Sequence, residues 1–222
     1  MFKKVLIAED LDTISLTVVH ALQELGVADV RYVKYCDDAY LKIKRAILDE
    51  EPFDLLISDL SFKTDHRENK LTSGEDLIEA VKKVQPNIKT IIFSIEDKSF
   101  RIKSLFKKLD INAYVLKGRD SIPELKKTIN RIYADDKKII SDELSYALRD
   151  KSLCEIENYD IVLLKSLSKG LTVEEIVSEF KESKIIPNSI SSLEKRINKL
   201  KIYFKANNNV HLIALAKDFG LV

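Results

Sequence analysis

Acidic, hydroxyl and basic side chains stand at the ends of four short apolar runs in the first part of the chain. Each has an ordinary explanation alone, because an aspartate after a strand commonly caps a turn and a lysine there is usually solvated. Because such residues occur at the ends of four apolar runs, the sequence instead predicts that they share one site. The positions are Glu9 and Asp10 after Val5–Ala8, Asp59 after Asp54–Ser58, Ser94 at the end of Thr90–Ser94, and Lys117 after Ala113–Leu116.

These residue types suit phosphoryl chemistry. Neighbouring carboxylates repel one another unless a divalent cation neutralises them. Oxygen ligands of this kind suit Mg²⁺, which binds through few carboxylates together with phosphate oxygens. A carboxylate can attack phosphorus as a nucleophile, and the charge on the phosphoryl oxygens then needs cationic and hydrogen-bonding partners. We therefore predict a Mg²⁺-dependent phosphoryl site in which Lys117 and the Ser94 hydroxyl supply those partners.

Five apolar runs in residues 1–132 alternate with five amphipathic stretches of helical spacing. Continuous Val, Ile and Leu runs are typical of strands that are covered on both faces. The alternation predicts an α/β fold, namely a doubly wound, five-stranded parallel sheet in the order 2-1-3-4-5. Such sheets bind ligands at the carboxyl ends of their strands, where the strand order reverses. The predicted strands are Val5–Ala8, Val30–Tyr35, Asp54–Ser58, Thr90–Ser94 and Ala113–Leu116.

The pattern changes after residue 132. Asp135–Lys151 is charged and contains no strand signal, so residues 133–155 are predicted to be a linker that is helical in part. Residues 156–222 are helix-like throughout and predict a second, smaller all-α domain. Its predicted helices are Tyr159–Lys169, a helix capped by Thr172, a helix from Pro187 and Asn188 to about Ile202, and Val210–Phe219.

The third of these helices has one apolar and one polar face. Ile190, Leu193, Ile197 and Leu200 are predicted to pack on the core of the domain. Between Lys181 and Lys205 there are seven basic residues and two acidic ones. This charge suits contacts to phosphates, and small polar side chains can approach base edges, although a plain solvated helix is the alternative. The predicted DNA contacts are Asn188, Ser191, Ser192, Lys195, Arg196 and Lys199.

The composition narrows the class of protein. The chain has 222 residues, of which 45% are apolar and 33% are charged, a mixture typical of soluble globular proteins. We find no secretory or membrane-spanning run, so we expect no membrane association and a cytoplasmic location. Cys36 and Cys154 could pair, but a reducing compartment is the simpler interpretation.

Residues 1–132 resemble the receiver domain of bacterial two-component response regulators, a flavodoxin-like fold. The matching segments are Leu6-Ile7-Ala8-Glu9-Asp10, Leu55-Leu56-Ile57-Ser58-Asp59-Leu60, Ile91-Ile92-Phe93-Ser94 and Ala113-Tyr114-Val115-Leu116-Lys117-Gly118. The resemblance implies that Asp59 is the phosphoacceptor. It implies that Glu9, Asp10, Asp59 and the backbone carbonyl of Ser61 hold Mg²⁺. It also implies that Ser94 and Tyr114 form a switch pair, whereas the ordinary interpretation of Tyr114 is a half-buried strand aromatic.

The segment after Asp59 departs from the family pattern. Lys63 stands where the family usually has proline, and Gly74 comes fifteen residues after Asp59, where about eight is usual. The longer, charged segment Phe62–Ser73 could cover the site, bind a partner or be a simple insertion. His66 within it could bind a metal or be solvated.

The C-terminal part resembles the LuxR/NarL-type helix-turn-helix domain. The matching segments are 161–176 and 212–221. The turn Lys181–Pro187 is longer than usual, and Ser189-Ile190-Ser191 replaces the family's Thr-Val-Lys.

Together the two resemblances imply a DNA-binding response regulator that controls transcription. A partner sensor histidine kinase would phosphorylate Asp59, and a homodimer would bind double-stranded DNA in the active state. The chain's own catalysis would be limited to phosphoryl transfer to and from Asp59. The alternative is a phospho-regulated interaction module whose helical domain binds a protein.

Overall fold

The computed structural model of the chain describes residues 1–63, 66–97, 99–135, 138–140 and 156–222. The chain divides into two compact units, one containing a β-sheet and the other containing the helices that follow residue 156. The domain limits 1–132 and 156–222 stay predictions, and most of the predicted linker 133–155 lies outside the described residues. No helix in the described part is long and apolar enough to cross a membrane.

The first unit is built on a parallel sheet with the strand order β2-β1-β3-β4-β5-β6, which confirms the predicted order of the first five strands. The order reverses beside β1, so the crevice at the carboxyl ends of β1 and β3 is a natural ligand site. The strands are β1 Lys4–Ala8, β2 Asp29–Val33, β3 Leu55–Ser58, β4 Lys89–Ser94, β5 Ala113–Leu116 and β6 Ile139–Ile140.

The sixth strand corrects the prediction of five. Ile139 and Ile140 pair in parallel with Ala113 and Tyr114 of β5. They lie within 133–155, where the sequence predicted no strand. Two residues are too few to show a strand period, so only their pairing with β5 defines the strand.

Helices cover both faces of this sheet, as the apolar strand runs require. Helix α1 packs against α5 on one face, and α2 packs against α3 on the other. Ile7 and Ile57 belong to the core that also contains Leu22 of α1 and Ile129 of α5. The helices are α1 Asp12–Glu24, α2 Cys36–Leu48, α3 Gly74–Val84, α4 Ser99–Lys108 and α5 Ser121–Ala134.

The second unit packs its helices around one apolar core that includes Leu163, Phe180 and Leu212. Thr172 caps the second of these helices, as predicted. Its hydroxyl accepts the Glu175 N–H at 3.3 Å, and the Glu175 carboxylate accepts the Thr172 N–H at 2.7 Å. The helices are α6 Asn158–Ser168, α7 Val173–Glu182, α8 Ile190–Phe204 and α9 Asn209–Asp218.

Helix α8 begins later than the sequence predicts, because Ser189 is its N-cap and accepts the N–H of Ser192. The predicted burial of Leu193, Ile197 and Leu200 is confirmed. The predicted burial of Ile190 is wrong, since its side chain is 45% exposed. Ile190 is the first residue of the helix, and Leu193 is the first residue of the helix that is buried.

Cys36 opens α2 as a buried, free thiol. Burial raises the pKa of this thiol to about 12, with nearby carboxylates acting in the same direction. The thiol is therefore protonated, and poorly nucleophilic, at neutral pH. Cys154 lies outside the described residues.

Candidate functional site

Four of the predicted strand-end residues of the first unit converge at one crevice, namely Glu9, Asp10, Asp59 and Lys117. The backbone of Asp59 donates to the Ala8 carbonyl at 3.0 Å, which extends the pairing of β1 and β3 beyond β3. The backbone of Lys117 likewise donates to the Ser94 carbonyl at 2.8 Å, beyond β5. Because main-chain bonds hold these residues, their side chains leave the sheet in defined directions.

An ammonium group joins two of the carboxylates in this crevice. Lys117 Nζ lies 2.7 Å from Glu9 Oε2 and 2.5 Å from Asp59 Oδ2. Glu9 is 2% exposed and Asp59 is 7% exposed, so water screens the pair weakly. The same ammonium lies 5.5 Å from the centre of the Phe93 ring. We call Glu9, Asp10 and Asp59, together with Lys117, the acidic crevice.

The acidic crevice has the composition of a divalent cation site. Oxygen atoms of Glu9, Asp10 and Asp59 all lie within 4.8 Å of one another. Burial raises the pKa of the Glu9 carboxyl above its ordinary value, and the hydrogen bond and charge of Lys117 oppose that change. Close carboxylates of which two are buried need a compensating cation, and hard oxygen ligands favour Mg²⁺. The residues therefore fit the predicted metal.

Asp59 is held so that its two oxygens face different partners. Oδ1 accepts the backbone N–H of Leu60 at 2.6 Å and lies 3.4 Å from the backbone nitrogen of Ser61. Oδ2 faces Lys117. The carbonyl of Ser61 stays a predicted metal ligand.

The proposed switch residues differ in how their hydroxyl groups are satisfied. Ser94 is fully buried, and its Oγ has no hydrogen-bond partner among the described residues. Tyr114 is also fully buried, and its hydroxyl donates to the Glu96 carbonyl at 2.6 Å. A buried hydroxyl without a partner carries a free-energy cost that a ligand oxygen can relieve. Their pairing as a switch remains a prediction.

Gly74 is a site residue whose role the sequence did not reveal. A Cβ atom at this position would lie 1.9 Å from the backbone oxygen of Asp59, and that is too close for any side chain. The Gly74 N–H also donates to the Leu60 carbonyl at 3.0 Å. The long segment 62–73 thus returns the chain to a glycine directly beside the phosphoacceptor candidate.

Segment 62–73 is closed at its base by an antiparallel bridge between Ser61 and Ser73. His66 within it is exposed. Among the described residues, the acidic trio is the one group of three or more candidate metal ligands, and it does not include His66.

The second candidate site is the exposed face of α8. Ser191, Lys195 and Lys199 are exposed there, as the sequence predicted, and Ser192 is partly exposed. Asn188 precedes the helix, and its side-chain amide donates to the Ile185 carbonyl at 2.9 Å. Just over two turns of α8 therefore offer two lysines and two serines on one surface.

Arg196 has a partner that the sequence did not reveal. Its guanidinium binds both carboxylate oxygens of Asp160, and one of the two distances is 2.5 Å. Asp160 is fully buried at the start of α6 and also accepts the Glu157 N–H at 2.9 Å. Arg196 therefore joins α8 to α6, whereas the sequence placed it among the DNA contacts.

Helix α8 carries a further row of exposed residues that was not predicted from the sequence. Asn198 and Ile202 continue the line of Ser191 and Lys195 at helical spacing, and all four are exposed. Ile202 is 80% exposed. A large apolar side chain on a polar helix face is the signal that could have identified this row.

Comparison with known proteins identifies the fold. The RcsB response regulator of Salmonella typhimurium has a TM-score of 0.70 and 19% identity over 97% of this chain and 99% of that chain. RcsB in a structure of two dimers bound to two parallel DNAs has a TM-score of 0.67 and 20% identity over 97% of this chain and 98% of that chain. The isolated REC domain of RcsB from Salmonella enterica serovar Typhimurium, with the phosphomimetic BeF₃⁻, has a TM-score of 0.54 and 23% identity over 66% of this chain and 99% of that chain.

No protein-family model matches the sequence, and no curated protein matches it either. At identities this low, the structural likeness establishes a shared fold. The predicted fold, a doubly wound parallel sheet followed by a smaller all-α domain, is thereby confirmed.

Proposed function

We propose that this chain is a response regulator of a two-component phosphorelay, located in the cytoplasm. A partner histidine kinase phosphorylates Asp59, and the phosphorylated chain binds double-stranded DNA as a homodimer and regulates transcription. One observation carries the proposal, namely the contact of Lys117 Nζ with Glu9 and Asp59 at 2.7 and 2.5 Å inside an acidic crevice.

In the proposed reaction, an Asp59 carboxylate oxygen attacks the phosphorus of a phosphohistidine. The new O–P bond forms as the P–N bond breaks, and the imidazole leaves with that electron pair and takes a proton. Lys117 and the Ser94 hydroxyl then stabilise the phosphoryl oxygens. Glu9, Asp10, Asp59 and the Ser61 carbonyl would hold Mg²⁺, which when bound offsets the negative charge of the phosphoryl group.

The proposed switch follows from the unsatisfied Ser94 hydroxyl. A phosphoryl oxygen on Asp59 offers this hydroxyl the acceptor that it lacks among the described residues. Movement of Ser94 would open space into which Tyr114 turns. A local hydrogen bond would thereby repack buried side chains of β4 and β5.

The DNA-binding part of the proposal rests on α8. Lys195 and Lys199 would contact phosphates, and Ser191 and Ser192 would approach base edges. Asn188 would contact the DNA backbone. We assign Arg196 to holding α8 in place, because Asp160 occupies its guanidinium. Solved RcsB structures with this fold are bound to DNA, which supports the same role here.

Mass spectrometry tests the phosphoryl half. The full-length chain, incubated with acetyl phosphate and Mg²⁺, should gain one phosphoryl group. Asp59→Asn should gain none, because an amide is a poor nucleophile. A wild-type chain that is never modified, or an Asp59→Asn variant modified as fully as wild type, would contradict the proposal.

A gel-shift series against genomic DNA fragments tests the other half. Binding should weaken as salt rises and should keep a sequence preference. Acetyl phosphate should strengthen it in the wild type and leave Asp59→Asn unchanged. Phosphorylation without any DNA binding would instead favour a second candidate.

That second candidate is a phospho-regulated module whose helical domain binds a protein. The specific observation behind it is apolar exposure around α8. Ile186, Ile190 and Ile202 are 78%, 45% and 80% exposed. Exposed isoleucines on and next to one helix would supply apolar contacts to a protein partner.

A further inference from the structure

The backbone of Lys63 donates a hydrogen bond to the acidic crevice. Its N–H lies 3.0 Å from Oδ2 of Asp10. Asp10 is the least buried of the three carboxylates, so its rotamer is the least restricted by packing. A donor on one of its oxygens holds the carboxylate in one orientation.

Lys63 occupies the position at which receiver domains usually have proline. A proline has no N–H and could not make this bond. The departure from the family pattern therefore supplies a donor that the usual residue lacks. The longer segment 62–73 begins at this donor.

The same segment is anchored on the outer side by α2. The guanidinium of Arg67 binds both oxygens of Asp38, at 3.0 and 2.6 Å. It also lies 4.6 Å from the centre of the Tyr35 ring. A two-pronged ion pair over an aromatic ring is more directional than a single lysine contact.

A second anchor uses the neighbouring carboxylate. Asp37 accepts the backbone N–H groups of Lys70 and Leu71 at 2.8 and 3.2 Å. Asp37 and Asp38 both lie in the first turn of α2, where negative charge is favourable. The described residues of the segment therefore contact α2 through Arg67, Lys70 and Leu71 and contact Asp10 through Lys63, while Ser61 and Ser73 pair at its base.

We propose that Lys63 and Arg67 are positioning residues for the acidic crevice. The Lys63 N–H orients the Asp10 carboxylate for a divalent cation, and the Arg67 anchor keeps that N–H in place. This positioning role rests on the proposed function, but the quantity that it changes is the affinity of the acidic crevice for a divalent cation. Hydrogen-bond donors to metal ligands commonly determine affinity in this way.

Isothermal titration of the full-length chain with Mg²⁺ tests the proposal. Lys63→Pro removes the N–H, and it should weaken Mg²⁺ binding about tenfold. Lys63→Ala keeps the N–H and removes only the side chain, so it should bind Mg²⁺ as the wild type does. Equal affinities of Lys63→Pro and Lys63→Ala would overturn the proposal.

Arg67→Gln is a second variant, and it changes a side chain without removing a backbone N–H group near Asp59. It should weaken Mg²⁺ binding in the same direction as Lys63→Pro. Arg45→Gln is the matched control, because it breaks an exposed ion pair between Arg45 in the last turn of α2 and Asp49, the residue that follows the helix. An Arg67→Gln variant that binds Mg²⁺ as tightly as Arg45→Gln would also overturn it.

The titration separates this inference from the proposed function. Weaker Mg²⁺ binding in both test variants, with no phosphorylation of any variant, would support the positioning role and contradict the phosphorelay. Phosphorylation of the wild type, with unchanged Mg²⁺ affinity in both test variants, would support the phosphorelay and contradict the positioning role. A wild-type chain that binds no Mg²⁺ would overturn the inference.

Discussion

The acidic crevice of the first unit and the basic face of α8 carry opposite charge, and they are built in different ways. Main-chain bonds at strand ends place the crevice residues, as between Asp59 and Ala8. The face of α8 depends on which side chains its own domain uses for packing. Arg196 is the clearest case, because Asp160 binds it.

The two regions differ in which of their charged side chains can contact a ligand. In the crevice, burial and a fixed backbone force the charged groups toward one another, so their chemistry follows from their positions. On α8, two positively charged residues have different roles. Lys195 is exposed, whereas Arg196, its neighbour in sequence, holds two helices together.

The largest effect is expected from breaking that internal ion pair. Asp160→Asn leaves the Arg196 guanidinium without its charged partner, and it should destabilise the second unit by about 3–5 kcal/mol. Urea unfolding, followed by hydrogen exchange of α6 and α8, measures this. The matched control is Asp49→Asn at an exposed pair, and a similar loss in both variants would remove the distinction.

A smaller effect is expected beside the crevice. Gly74→Ala places a Cβ against the Asp59 carbonyl and should cost about 1–3 kcal/mol of stability, with slower phosphorylation by acetyl phosphate. Gly118→Ala is the control, because a Cβ there meets nothing within 4 Å. If both alanine variants matched the wild type, the close packing at Gly74 would be wrong.

DNA affinity should change more gradually. Lys195→Gln and Lys199→Gln should each reduce the slope of log affinity against log salt by about 0.9, the contribution of one phosphate contact. Lys217→Gln on α9 serves as the control. Titrations at several salt concentrations measure the slope, and unchanged slopes in both α8 variants would remove these lysines from the interface.

The smallest effect is expected at Ile190. Because this side chain is exposed at the first position of α8, Ile190→Ala should change stability by less than about 0.5 kcal/mol. Truncation of buried Leu193 is the positive control for the same denaturation measurement. A loss at Ile190 as large as that at Leu193 would restore the original prediction that both pack on the core.

Most of the fold could be predicted from the sequence, because apolar runs and helical spacing are local signals. Thr172 with Glu175 was likewise recognisable as a helix start, since both partners lie three residues apart. Strand β6 could not be predicted, because two isoleucines become a strand only by pairing with β5.

The candidate site divides in the same way. The strand-end positions, among them Asp59 and Lys117, follow from residue type and strand order. Gly74 and Asp160 do not, because each acts on a residue distant in sequence, fifteen and thirty-six positions away. The bond from Lys63 to Asp10 joins two segments that only the folded sheet brings together.

Chemical trapping of the phosphorylated residue tests the central claim most directly. Borohydride reduces an aspartyl phosphate to homoserine, which tandem mass spectrometry locates in the digested chain. After treatment with acetyl phosphate and Mg²⁺, we predict homoserine at position 59 and unmodified Glu9 and Asp10. Trapping at Glu9 or Asp10, or recovery of only unmodified Asp59, would contradict the account.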